Sequence, residues 1–172
     1  MFRVSRLTDY ALVLLCRMAD AQTGAAAAAA QSAQQLARDV RLPLPMVSKA
    51  LKSLNRAGWV QSQRGAQGGY RLARPAQDIS VLAVVEDMEG PLNLAPCDGD
   101  SQCTLHAHCG LRGHWARINR RVRRELQGMT IAELVEPPAL AELADDPLPP
   151  VASAARGRSD HLRISMSTEH EH

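Results

Sequence analysis

Two short helical patterns hinged on Leu42-Pro43-Leu44-Pro45, followed at once by a glycine-rich basic hairpin, constrain this chain more than any other stretch. Ser32 can cap a helix that runs to Asp39 and turns Leu36 and Val40 inward. Pro45 suits the first turn of the next helix, where its missing N–H costs nothing. That helix reaches Ala57 and stops at Gly58, with Val47, Ala50, Leu51 and Leu54 on its inner stripe and Ser48, Lys49, Lys52 and Arg56 outside. Trp59 to Gln63 then alternates as a short strand. Arg64-Gly65-Ala66-Gln67-Gly68-Gly69 turns, and Tyr70-Arg71-Leu72 returns as its partner.

The rest of the chain is mostly helical. Leu7, Ala11, Leu14, Leu15 and Met18 share one face of a first helix from about Thr8, its expected N-cap, to Ala21. Arg3, Arg6, the apolar run Tyr10 to Cys16 and Ala19-Asp20-Ala21 imitate an export signal, but seven apolar residues are at the short limit for one. Gly24 and Ala25 to Ala30 form a low-complexity connection. Ser80 is placed to cap a fourth helix through Val81, Val84, Val85 and Met88. Leu111 to Gln127 carries the stripe Leu111, Trp115, Ile118, Val122 and Leu126, and Thr130 with Glu133 matches a capping box. The expected fold class is mainly α with a small β wing: a winged helix-turn-helix plus a long further helix. Its divisions are 1–90, a winged helix-turn-helix region; 91–110, a cysteine-rich loop; 111–145, the long helix and a short C-terminal helix; and 146–172, a tail whose Pro, Ser and charge content reads as disordered.

Charge points to the partner. Residues 1–75 carry 11 Lys and Arg against 3 Asp and Glu, a net +8, which leaves the remainder a net −6. A basic half of this kind suits a polyanion. The second helix of the hinged pair can enter a major groove about 12 Å wide, its N-terminal residues at the base edges. Pro45, Met46, Ser48, Lys49 and Lys52 on that helix, and Arg64, Tyr70 and Arg71 on the hairpin, are therefore the expected contacts to double-stranded operator DNA. Gly65, Gly68 and Gly69 imitate a nucleotide loop, but no Gly-Lys-Ser/Thr follows. No apolar run approaches the ~18 residues of a membrane span, and no nucleophile–base pair suggests an enzyme. The expected location is the cytoplasm, with reduced thiols.

Cys97, Cys103 and Cys109 are separated by five residues each within one polar stretch. Zinc knuckles usually pair cysteines two to four apart. Wider spacing suits an iron–sulfur cluster, whose usual ligands are thiolates. Zinc and three unligated, oxidant-sensing thiols stay open as alternatives. Cys16 sits in an apolar run and reads as a core thiol.

Leu7-Thr8-Asp9-Tyr10-Ala11, the hairpin Arg64 to Leu72 and the three-cysteine stretch together resemble the Rrf-type bacterial regulators, which include the isc operon repressor and the nitrite-sensitive repressor. Cys109-Gly110-Leu111-Arg112-Gly113-His114-Trp115 with Arg117-Ile118-Asn119-Arg120 is most similar to the subgroup that regulates SUF iron–sulfur assembly genes. The resemblance covers about Met1 to Pro137. It implies a homodimeric repressor that senses iron–sulfur status through a bound cluster, 2Fe-2S or 4Fe-4S. It makes Leu111 to Gln127 the helix that crosses its partner, with Arg117, Arg120, Arg121, Arg123 and Arg124 solvated. In the isc branch a histidine three residues after the third cysteine is the fourth ligand; here that position is Arg112. The nitrite branch uses an aspartate near the start of helix one, given by the other subunit, and Asp9 matches it. His106, His108 and His114 remain alternatives.

Overall fold

A computed structural model describes residues 3–22, 30–65, 68–95 and 109–136, all within a compact unit, Met1–Pro137. Both members of the hinged pair form. Helix α1 spans Arg6–Gln22, α2 Ala33–Asp39 and α3 Leu44–Arg56. Ser32 accepts the Gln35 N–H at 3.1 Å and caps α2 as its position suggests. Between α2 and α3 the chain reverses through Arg41 in the left-handed region, φ +54°, and Leu42 N donates to Ala37 O at 3.1 Å. Pro45 lies in the first turn of α3, which costs no hydrogen bond.

The 3.6-residue period delivers the core. Val47, Ala50, Leu51 and Leu54 of α3 and Ala11, Leu14 and Leu15 of α1 are all fully buried, and the two helices pack on each other. Each buried leucine or valine contributes roughly 1.5–3 kcal/mol. Gly58, φ +81°, ends α3, and Trp59 N donates to Leu54 O at 2.9 Å.

Strands β1 (Val60–Gln63) and β2 (Gly69–Leu72) pair antiparallel with Val60 opposite Leu72 and Ser62 opposite Tyr70. A third element joins them: Gln31 exchanges backbone hydrogen bonds with Tyr70, 2.9 and 2.8 Å. The glycines at the wing are required by close approach. A Cβ on Gly69 would lie 2.5 Å from Gln31 O, and one on Gly68 2.5 Å from Gln63 O. Gly65 has open space around it but a φ of +116°, so the three glycines answer to close approach and turn conformation.

After a 3₁₀ turn at Ala76–Asp78, helix α4 spans Val81–Glu89, α5 Arg112–Gly128 and α6 Ile131–Val135. Met129 O accepts from Val81 N and Ile79 O from Ile131 N, both at 2.9 Å, so the start of α6 is stitched to the start of α4. The capping box of Thr130 and Glu133 is present in both directions.

Two expected caps differ. The cap of α1 is Ser5, whose Oγ accepts the Thr8 N–H at 3.3 Å. Thr8 is fully buried inside the helix and its hydroxyl donates to Glu89. Ser80 holds the N-cap position of α4 without a capping bond, and its hydroxyl donates to Leu126 O on α5 at 3.4 Å. Of the 91–110 stretch, 96–108 lie outside the described residues, as do 137–145 and the 146–172 tail. Among the described residues no helix is long and apolar enough to cross a membrane.

Candidate functional site

The exposed side of α3 and the hairpin beside it form a continuous basic surface. Pro45, Lys49, Lys52 and Arg56 are exposed, and Met46 and Ser48 are half-buried. The N-terminus of α3 adds the positive end of the helix dipole, which suits phosphate. Arg64 is exposed where β1 ends. Arg71 is exposed and its Nη2 donates to Gln61 Oε1 at 3.2 Å, which steers the guanidinium along the outer face of the hairpin.

Tyr70 takes the other face. It packs half-buried against the core while its backbone holds Gln31. Strand alternation puts Arg71 and Tyr70 on opposite sides. Three residues that sequence reading passed over fix the hairpin on α3 and α4. Asn55 Oδ1 accepts Ser62 N at 3.2 Å. Arg74 lies 4.9 Å over the Trp59 ring. Asp87 accepts the Trp59 indole N–H at 2.8 Å. Each partner is distant in sequence or reads as an ordinary polar residue, so no local signal marks it.

Of the expected metal ligands, Cys97, Cys103, His106 and His108 lie outside the described residues. Cys109 is half-buried, and its carbonyl accepts Arg112 N at 3.3 Å as α5 begins. His114 is exposed on the first turn of α5. Asp9 is exposed in the first turn of α1, with no ion-pair partner among the described residues. Those residues alone bring no three His, Cys, Asp or Glu together in a metal-binding group. Cys16 is half-buried, and burial pushes its thiol pKa up, as a core thiol requires.

Helix α5 is built differently from α3. Asn119 is its only buried residue. Leu111, Trp115 and Ile118 are 61%, 38% and 42% exposed, and Val122 and Leu126 are half-buried. Its arginines are not all solvated: Arg123 binds Glu86 of α4 through both guanidinium nitrogens, one at 3.1 Å. Desolvation works against the Glu86 carboxylate, but hydrogen bonds from Arg123 and Leu92 N and the Arg123 charge outweigh it, so its pKa lies below the usual value.

The same arrangement recurs among known proteins. Residues 4–137 match the family described as "Rrf2: Iron-dependent Transcriptional regulator". The HTH-type transcriptional repressor NsrR of Streptomyces coelicolor is 30% identical over 148 residues, 84% of this chain and 98% of its own length. The solved structure of T. potens IscR superposes with TM-score 0.60 at 25% identity, over 84% of this chain and 91% of that one. CymR of B. subtilis, described as its global cysteine regulator, shares the fold with TM-score 0.63 at 24% identity, over 78% and 97%. The mainly helical fold with its two-stranded wing is therefore a winged helix, and the family is one of DNA-binding transcriptional regulators rather than enzymes. The chain belongs to the Rrf2 family of transcriptional regulators.

Proposed function

We propose that this regulator is a cytoplasmic homodimeric repressor that reads iron–sulfur status through a bound cluster and controls SUF-type assembly genes. The observation that carries the reading is the position of Cys109. The last of three evenly spaced cysteines sits half-buried three residues before α5, the long helix whose stripe the described residues leave exposed at Leu111, Trp115 and Ile118. A ligand change at Cys109 would act directly on the helix that joins two subunits.

Cys97, Cys103 and Cys109 would hold the cluster, and Asp9 of the partner subunit would complete it. The donor set suits this: three thiolates leave one position open, and the Asp9 carboxylate is exposed and unengaged by any ion pair described. When bound, the cluster supplies a centre whose loss or redox change alters what the three cysteines can hold. Pro45, Met46, Ser48, Lys49, Lys52, Arg64 and Arg71 would face the operator, with Tyr70 supporting the hairpin from behind. Reduced thiols fit a cytoplasmic location.

Anaerobic purification tests the cluster. Brown protein with iron and sulfide, lost on changing any one of Cys97, Cys103 or Cys109 to Ala and kept in Cys16→Ala, supports it. Colourless protein with stoichiometric zinc supports a structural metal site instead. Mixed dimers test the Asp9 assignment. One Asp9→Ala chain paired with one chain lacking all three cysteines should hold a normal cluster at its single intact site. A defective cluster there would rule out ligation across subunits.

A further inference from the structure

Three carboxylates crowd the C-terminal half of α4, and each holds a different part of the molecule. Glu86 Oε1 accepts Leu92 N at 2.9 Å, and the carboxylate also grips Arg123 of α5. Asp87 accepts the Trp59 indole N–H at the root of the wing. Glu89 accepts Ser5 N at 2.9 Å and the Thr8 hydroxyl, so it holds the first turn of α1. Asn119 reinforces the first of these links. Its Nδ2 donates to Leu92 O at 3.1 Å, while its buried Oδ1 has no partner among the described residues. The one buried side chain of α5 is therefore a polar group directed at Leu92, five residues before Cys97.

We propose that α4 transmits displacement of Leu92 and α5 to the wing root and to the start of α1, with Glu86 the positioning residue on the input side and Asp87 on the output side. Glu86 and Asp87 are adjacent on one short helix whose other face is fixed in the core by Val81, Leu82, Val84 and Val85. Leu92 cannot shift without stretching its bonds to Glu86 and Asn119. A helix this short moves as one body, so a shift at Glu86 reaches Trp59 through Asp87. Linkage makes the effect reciprocal: what binds the wing also biases Leu92. This extends the reading of 97–109 as the sensor, but the mechanical link can be tested without it.

Trp59 is the reporter. The chain has two tryptophans, so Trp115→Phe leaves Trp59 alone. In the full-length, metal-free Trp115→Phe protein, Asp87→Asn should raise acrylamide quenching of Trp59 directly. Glu86→Gln leaves both partners of the Asp87–Trp59 hydrogen bond in place, yet it should change quenching in the same direction. Arg123→Gln removes the same ion pair from its more exposed side and serves if Glu86→Gln fails to fold. Trp59 emission and quenching unchanged in both variants would overturn the proposal. With cluster reconstituted, the factor by which cluster changes operator affinity should fall by about threefold or more in Glu86→Gln and in Asp87→Asn, within the range of single-residue coupling effects, while iron content stays at the parent value. Full retention of that factor would also overturn it. A parent protein that takes up no iron counts against the cluster reading alone, because the Trp59 arm still decides the link.

Discussion

Helices α3 and α5 have similar amphipathic patterns and opposite fates. The apolar stripe of α3 is fully covered by its own chain. The stripe of α5 keeps Leu111, Trp115 and Ile118 exposed, and the helix buries only an asparagine. A 3.6-residue period says that a helix has an apolar face; it does not say which chain covers that face. In α3 the cover is α1, which lies within the same compact unit. In α5 the packing on α4 still leaves Leu111, Trp115 and Ile118 exposed among the described residues, so the cover we propose for them is a second copy.

The largest effect expected is in the covered helix. Leu51→Ala should destabilise the fold by about 2–5 kcal/mol in urea unfolding, because it opens a cavity where nothing can collapse. A loss well under that range would mean that the α1–α3 contact is looser than its burial implies. The corresponding break in α5 is Ile118→Asp. It should leave far-ultraviolet circular dichroism of the isolated subunit nearly unchanged and weaken the dimer by about 2 kcal/mol or more, roughly 30-fold. Sedimentation equilibrium reads this directly, and a monomeric parent would remove the proposed cover.

Smaller effects sharpen the contrast. Thr130→Ala should cost about 1 kcal/mol, since its capping box starts α6 on the α1 side of the molecule. Ser80→Ala should cost less, since that hydroxyl makes no cap. The two basic surfaces should also differ. Lys52→Ala should reduce the log–log salt slope of operator binding by about 0.9, whereas Arg117→Ala on α5 should leave it unchanged. An equal reduction in both would place α5 at the DNA, and no reduction in either would remove Lys52 from the interface. Finally, Glu89 is held below its usual pKa by hydrogen bonds from Ser5 and Thr8. A lowered folded-state pKa stabilises at pH values above the ordinary glutamate value of about 4.5, and the contribution is lost as pH falls through the folded one. Glu89→Gln should flatten that acid limb of the stability profile slightly, and an unchanged limb would show that Glu89 plays no part in it.

What could be read from residues alone follows from distance along the chain. The α3 stripe, the Ser32 cap and the Thr130–Glu133 box depend on neighbours three or four residues away, and all three form as expected. Thr8 and Ser80 looked like caps because threonine and serine favour helix starts. Their hydroxyls instead meet groups 81 and 46 residues distant. Arg123 looked solvated for the same reason, since Glu86 is 37 residues away. On the hairpin, alternation separates Tyr70 from Arg71, but only the third element at Gln31 shows why Tyr70 turns inward. For the metal ligands, the cysteine spacing and the resemblance remain the ground for assignment, with Cys109 and Asp9 the members whose surroundings the structure describes.

The pairing of Gln31 with Tyr70 bears on how the chain tolerates a change of length. Six alanines, 25–30, stand immediately before Gln31. Gln31 is anchored to Tyr70 by two backbone bonds, and a Cβ at Gly69 would already collide with it. The anchor sets where α2 begins whatever the number of residues upstream. Doubling that upstream length adds only about 0.6 kcal/mol of closure entropy. Adding or removing alanines before Gln31 should thus leave the basic surface in place, whereas a single side chain at Gly69 would undo that tolerance.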